Sequence, residues 1–536
     1  MSSVARRTKR SGLHRFATVS VAFFVVACAG QDTLAPTESD LSQADRLFSI
    51  GYRDISDIYI DDVTVSELAL AGLNNLTTLD PELTVVRDGR QVRLTIDGQL
   101  AGSFAAPSYR DADAWGALTA DAVDLGRLRS TELSAAEPER IYEVLFDGVL
   151  AELDGFSRYA GREEARENRA SRDGFGGIGV RIRLIDEGVR ILTVMEKTPA
   201  ARAGLLDDDI IVQIDGQPTV GLNQREVVRR LRGPLRSKVE LTIERDSAVT
   251  PVSVQVVRAH IVPQTVLYKR LGDAAHIKVT GFNQRTARTL RDKVRFALDD
   301  IGPSVSGIVL DLRGNPGGLL DQAVAVADMF LPNGRIVSTH GRHPDSHQYF
   351  DAEPDDVAQG RPVVVLVNGG SASASEIVAA ALQDAGRAVV AGTVSFGKGT
   401  VQTVLRLPNE GELTLTWARF HAPTGYGLSR RGIMPDICTG GDVADADQVL
   451  NGLRRGALPL DTALLRRDID PYDDVSIEAF RASCPARRAE SDLELDLAQR
   501  LLEDPALFAR ALRSKAPDTA AREAAQPVVA GGHRLD

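Results

Sequence analysis

The chain has 536 residues, of which 43% are hydrophobic and 26% charged, a balance typical of folded chains and long enough for about three or four domains. Its formal charge of −11 supplies no general attraction to nucleic acid, which excludes that partner class from the leading readings. Three cysteines are too few for a disulfide-stapled scaffold or for paired CxxC zinc sites, and no apolar run reaches the ~18 residues that mark a membrane-spanning helix.

Arg6, Arg7, Lys9, Arg10 and Arg15 precede an apolar stretch from Phe16 to Ala27, the layout of a secretory signal. Its end, Val25-Val26-Ala27-Cys28, resembles the lipobox of bacterial lipoproteins, which implies cleavage before Cys28 and lipidation of its sulfur. Cleavage there takes five positive charges from the −11 of the whole chain and leaves −16. Ala29 after the cysteine, rather than an aspartate, favours the outer membrane in a Gram-negative cell, so the expected location is the periplasm, with a lipid anchor as the sole membrane contact. In that oxidising compartment Cys438 and Cys484 are either a disulfide or two buried thiols.

Residues 29–45 are polar and aperiodic, as a tether would be. Val65–Leu79 reads as a helix. Leu83–Val86 and Val92–Ile96 read as strands turned at Asp88-Gly89, and Ala114–Leu128 and Glu137–Leu153 as further helices. From 174 to 258 strands predominate, at Val180–Leu184, Ile191–Val194, Ile210–Ile214, Val239–Glu244 and Val252–Val257, with a helix at Gln224–Arg232. This unit resembles a PDZ domain. Gly177, Ile178, Gly179 and Val180 stand where that family's carboxylate-binding loop belongs, and Lys197–Leu205 and Ile214-Asp215-Gly216 agree with it. Glycines let successive backbone N–H groups converge on a peptide's terminal carboxylate, while the next strand offers an edge for pairing.

From about 260 to 440, apolar strands alternate with helices, which predicts an α/β core. In it, strand Val363–Val367 runs into Asn368–Glu376, a stretch of glycines, alanines and three serines that opens a helix. A serine there lies beside free N–H groups that suit an oxyanion, although Ser375 followed by Glu376 would equally be a plain helix cap. Gly392–Gly399 has the GxxxxGK spacing of a phosphate loop. Gly399 stands where the magnesium-binding hydroxyl belongs, and the strand pattern Val401–Leu407 follows where a helix is required, so that reading is set aside. Lys398 remains as a lysine that burial would bring to general-base duty beside a serine. His340, His343 and His347 share a polar loop at a spacing a metal could use. No carboxylate or cysteine motif accompanies them, so they are read as solvated and His421 as packed; no metal and no cofactor is expected.

These segments together resemble the S41 serine-peptidase family, the carboxyl-terminal processing or tail-specific proteases. The carriers are Phe175–Gly179, Val309–Leu320, Gly370–Glu376, Phe396–Gln402 and Gly432–Ile437, in the family's order over roughly residues 141–440. The resemblance implies a Ser373 nucleophile, Lys398 as its base and Gln402 orienting the lysine. It also implies an oxyanion hole from the backbone N–H groups of Gly318 and Ala374, and acyl-enzyme hydrolysis without metal or nucleotide. Implied substrates are proteins whose apolar C-termini are captured by the PDZ loop. One departure is Gly425–Leu428, where the family carries Gly-Arg-Ser-Ile, which leaves the cleft rim open.

The expected fold is therefore multidomain α/β: a β-rich PDZ domain plus a ClpP/crotonase-like serine-peptidase core, with helical N- and C-terminal regions. The expected segments are a signal peptide at 1–27, tether 28–45, mixed and helical region 46–170, PDZ 171–258, peptidase core 259–440, helical region 441–515 and disordered tail 516–536. Residues 46–140 and 441–536 carry no family motif and are assigned to homo-oligomerisation or an adaptor. The rival reading is a catalytically silent PDZ lipoprotein that holds C-termini as a scaffold.

Overall fold

The computed structural model describes residues 38–513 apart from 442, 444 and 457–468, so the signal segment, Cys28 and the tail from 516 lie outside the described residues. At its centre is a six-stranded sheet in the order Val266–Leu271, Ala274–Val279, Gly307–Asp311, Val363–Val367, Val389–Gly392, Ile437–Cys438. The first pair is antiparallel and the remainder run parallel. Both faces are covered, and the strand sequences show why they are unbroken apolar runs. Ile308, Leu310, Val363, Val365 and Val367 point to one core, which they share with helices Thr286–Ile301, Leu320–Asp328 and Ala374–Asp384. Their neighbours Val309, Val364 and Leu366 point to the other core, closed by helices Ala446–Arg454, Asp492–Glu503 and Pro505–Arg513. Each of these fully buried aliphatic side chains contributes about 1.5–3 kcal/mol of transfer free energy.

A second sheet runs Gln348–Asp351, Arg335–His340, Glu412–His421, Thr400–Arg406, with Arg158–Ala160 also paired to Glu412–His421. Its Leu413 and Leu415, with Leu407 just past its edge strand, join the core of the N-terminal region, which contains helices Glu38–Ile58, Val65–Asn75, Ala112–Arg129 and Pro138–Ala151 and a three-stranded meander. The PDZ-like unit has its own core around Ile191, Val227 and Leu241. Its sheet ends at the edge strand Val180–Ile185, and the ribbon Phe175–Gly177 with Ala259–Ile261 ties the two ends of the unit together.

The structure differs from the sequence reading in several places. Helix Glu38–Ile58 begins inside the expected tether. Asp88 pairs with Gln91, so the hairpin turn is Gly89-Arg90, one residue later than expected, and a third strand, Gln99–Ala105, follows. Helix Arg162–Asp173 crosses the expected 170/171 boundary; it hid because only Ala165 and Ala170 among its residues are buried. No helix among the described residues is long and apolar enough to cross a membrane.

Candidate active site

Three adjacent parallel strands, Gly307–Asp311, Val363–Val367 and Val389–Gly392, release their loops at their carboxyl ends, where open α/β sheets place ligands. The first loop is anchored at Asp311. Burial alone would raise that carboxyl, but hydrogen bonds from Arg313 and His276 outweigh it and hold it well below the usual carboxylate range. Asn315 then shapes the turn. Its Oδ1 accepts the Gly317 N–H at 2.9 Å, and its backbone oxygen accepts the Ala372 N–H at 3.0 Å and the Ser375 hydroxyl at 2.9 Å. Gly317, at φ +103°, lies against the serine loop so closely that a Cβ there would sit 2.9 Å from Ser373 Cβ. Only glycine fits.

The second loop separates the three serines. Ser371 is fully buried, donates to the Leu312 carbonyl at 2.8 Å and accepts the Asn368 N–H at 3.0 Å. Ser375, also buried, spends its hydroxyl on Asn315. Ser373 alone is partly exposed. It, and not Ser375, is the N-cap of helix Ala374–Asp384, and it is held at φ 57°, ψ −115°, a conformation that costs a non-glycine residue about 1–3 kcal/mol. Neither the Ala374 N–H nor the Gly318 N–H has an acceptor among the described residues.

The third loop carries Lys398, half-buried, with its Nζ 5.1 Å from the centre of the Phe156 ring. Burial pushes its pKa down and Arg158 pushes it further, against the opposing pull of Asp154 and Glu376. Strand Thr400–Arg406 follows it. Gln402 turns its amide nitrogen to Thr400 at 2.8 Å and Thr416 at 3.2 Å, and no hydrogen bond joins it to Lys398 among the described residues.

Two contributors escaped the sequence reading. In the sequence Glu376 reads only as a helix-capping neighbour. It is fully buried and links the two loops: its carboxylate accepts the N–H of Ser373 at 2.7 Å, of Gly397 at 2.7 Å and of Lys398 at 3.0 Å, and the Ser395 hydroxyl at 2.5 Å. Burial raises its pKa against these donors. The segment 154–158 forms the wall over Lys398. Asp154 caps its own turn through the Phe156 and Ser157 N–H groups, both at 2.7 Å, and Ser157 Oγ accepts the Thr416 N–H. Its 240-residue distance from Lys398 in the chain left no local signal.

In the PDZ-like unit, Gly177 ends the ribbon strand and Val180 opens the edge strand. Between them the N–H groups of Ile178 and Gly179 have no acceptor among the described residues. Gly179, at φ +86°, packs on Thr198, where a Cβ would meet that side chain at 2.4 Å. Cys438 and Cys484 are joined in a disulfide with Cα atoms 5.8 Å apart. The histidines regroup: His340 lies 5.4 Å from His347 and 4.9 Å from His421 between ring centres, while the half-buried His343 makes no ring contact with them among the described residues. No set of three His, Cys, Asp or Glu residues suited to a metal occurs among the described residues.

Residues 273–439 match Peptidase family S41, and residues 190–245 match a PDZ domain. A carboxy-terminal-processing protease of Bartonella bacilliformis is 38% identical over 372 residues, covering 66% of this chain and 85% of the relative. The chain is thus a serine-type peptidase with a PDZ domain. It belongs to the S41 family of carboxy-terminal-processing proteases. A probable CtpA-like serine protease of Staphylococcus aureus is 32% identical over 314 residues, 58% of this chain and 62% of that one. Among solved structures, a photosystem II D1 C-terminal processing protease aligns at 23% identity over 74% of this chain and 92% of its own, with a TM-score of 0.37.

Proposed function

We propose that Ser373 and Lys398 form the catalytic dyad of this peptidase. The observation that carries the reading is the division among the serines: Ser371 and Ser375 are buried and spent on backbone carbonyls, whereas Ser373 is partly exposed on a loop that Glu376 ties to Lys398. In its neutral form, which burial favours, Lys398 takes the Ser373 hydroxyl proton as the Oγ–C bond forms at the scissile carbonyl. The Gly318 and Ala374 N–H groups hold the oxyanion, a contribution usually of 10²–10³-fold per donor. Collapse breaks the C–N bond, the leaving amine takes the proton from Lys398, and water then hydrolyses the acyl-serine. Gln402, its amide nitrogen held by Thr400 and Thr416, orients Lys398.

Substrates enter by their C-termini. The Ile178 and Gly179 N–H groups receive the terminal carboxylate, the edge strand Val180–Ile185 pairs with the peptide, and the apolar residues of the PDZ core favour an apolar last side chain. The N-terminal pattern supports export and lipidation at Cys28, hence work in the periplasm from an outer-membrane anchor; Cys28→Ala should move the protein from the membrane fraction to the soluble one. Residues 46–140 and the C-terminal helices are the surfaces for self-association or an adaptor.

The test is digestion of casein by the full chain beside Ser373→Ala and Lys398→Ala. Cleavage by the parent and a loss of more than about 10³-fold in both variants supports the dyad. Cleavage by Ser373→Ala refutes it, and a parent that binds apolar C-terminal peptides yet cuts nothing supports the scaffold instead.

A further inference from the structure

The lysine loop has a back as well as a front. Ser395 donates its N–H to the Ile433 carbonyl at 3.1 Å, Ile433 returns its N–H to Ser395 Oγ at 2.7 Å, and Arg430 N–H reaches the Gly397 carbonyl at 2.7 Å. These interlocked loops turn four carbonyl oxygens toward one point. Arg481 Nη1 occupies it, 3.0 Å from the oxygen of Ser395, 3.4 Å from Phe396, 3.2 Å from Arg430 and 3.1 Å from Arg431. Arg481 lies in the last turn of helix Asp474–Ala482. Its neighbour Phe480 lies 4.4 Å from the fully buried Arg431 guanidinium, which has Tyr426 on another side at 4.2 Å.

Beyond that helix the chain stays on the same surface. Cys484 is buried and bonded to Cys438 on the outermost strand of the central sheet. Arg487 accepts the Gly369 N–H at 2.9 Å, and Arg488 accepts from Asn368 Nδ2 at 2.9 Å. Residues 480–488 therefore back the serine loop and the lysine loop together, and all of them lie beyond the 273–439 family match.

We propose that Arg481 is a positioning residue for Lys398, held against the lysine loop by the Cys438–Cys484 disulfide. The inference rests on the reading of Lys398 as general base. A guanidinium gathers several carbonyls at fixed angles, and an ammonium satisfies fewer of them. Without it four dipoles repel at the root of the loop, Lys398 shifts relative to Ser373, and catalysis falls steeply because small displacements of a reacting group carry large penalties. Substrate capture by the PDZ loop is untouched. A loosened Lys398 is also better hydrated, so its protonated form gains, while Phe156, Asp154, Arg158 and Glu376 still face it in every variant.

The experiment measures kcat and KM against pH for a fluorogenic peptide with an apolar C-terminus, on the full chain. The variants are Arg481→Met, Arg481→Lys and the pair Cys438→Ser/Cys484→Ser, with Ser373→Ala and Lys398→Ala as references and thermal melts for the folded fraction. Arg481→Met should lower kcat about 10- to 100-fold with KM little changed, and should displace the alkaline-rising limb to higher pH. Arg481→Lys should restore part of the rate, and the cysteine pair should fall between them and the parent. A parental rate with an unmoved limb in Arg481→Met overturns the proposal. So does a loss equal at every pH and matched by lost folded protein, which is a purely structural role. Hydrolysis by Ser373→Ala would instead overturn the dyad itself, so the two failures are distinguishable.

Discussion

The peptidase core and the PDZ domain both present backbone N–H groups from glycine-lined turns, yet they are built in opposite ways. In the core, every residue of strand Val363–Val367 and of helix Ala374–Asp384 is buried, and the buried carboxylate of Glu376 fixes the serine and lysine loops to each other. In the PDZ domain, strand Lys238–Glu244 alternates buried and exposed residues, and the outermost strand Val180–Ile185 keeps one edge unpaired. On the proposed reading, the contrast separates two tasks. Holding charges for a transition state requires a dry, rigid surround; capturing a chain end requires an accessible edge with a small, separate core.

The most severe way to break the contrast is at Glu376. Glu376→Ala strands four donors, two buried and two half-buried, so unfolding free energy should fall by roughly 3–5 kcal/mol with turnover reduced in parallel, and Glu376→Gln should recover part of both. Denaturant titration beside casein digestion checks this; parental values for Glu376→Ala would show that the loops hold each other without the carboxylate. On the PDZ side, Gly179→Ala forces a Cβ against Thr198 at positive φ. Affinity for a peptide with a free apolar C-terminus should drop about tenfold by fluorescence anisotropy, while a short blocked peptide is hydrolysed at the parental rate.

A gentler probe uses pH. A lysine accepts a proton only when neutral, so activity should rise with pH, and burial places that limb below the ~10.4 of a free lysine. Arg158 also disfavours the ammonium, so Arg158→Gln should move the limb to higher pH; a move to lower pH would contradict the assignment. The smallest effect concerns Ser373 itself. Glycine adopts φ 57°, ψ −115° freely, so Ser373→Gly should be more stable than Ser373→Ala by ~1 kcal/mol, read as a higher melting temperature.

Much of the architecture was legible because the parallel strands are apolar on both faces. Val363–Val367 and Gly307–Asp311 could be little else, and the small residues after them mark where backbone passes close to backbone. Helix Arg162–Asp173 was hidden by its charge, and the start of helix Glu38–Ile58 by its polarity. The second sheet was mostly missed because Arg335–His340 and Glu412–His421 are distant in the chain and meet only in the fold. The site divides along the same line. Ser373, Lys398 and the glycine turns sit in local motifs. Phe156, Glu376 as a tie between loops, and Arg481 act through contacts with partners that no spacing rule connects.

The most direct test of the dyad is to label the full chain with a serine-reactive fluorophosphonate and locate the adduct by peptide-mapping mass spectrometry. The account predicts a single phosphonylated serine at Ser373, absent in Ser373→Ala and strongly slowed in Lys398→Ala. Labelling of Ser371 or Ser375, or undiminished labelling without Lys398, would contradict it.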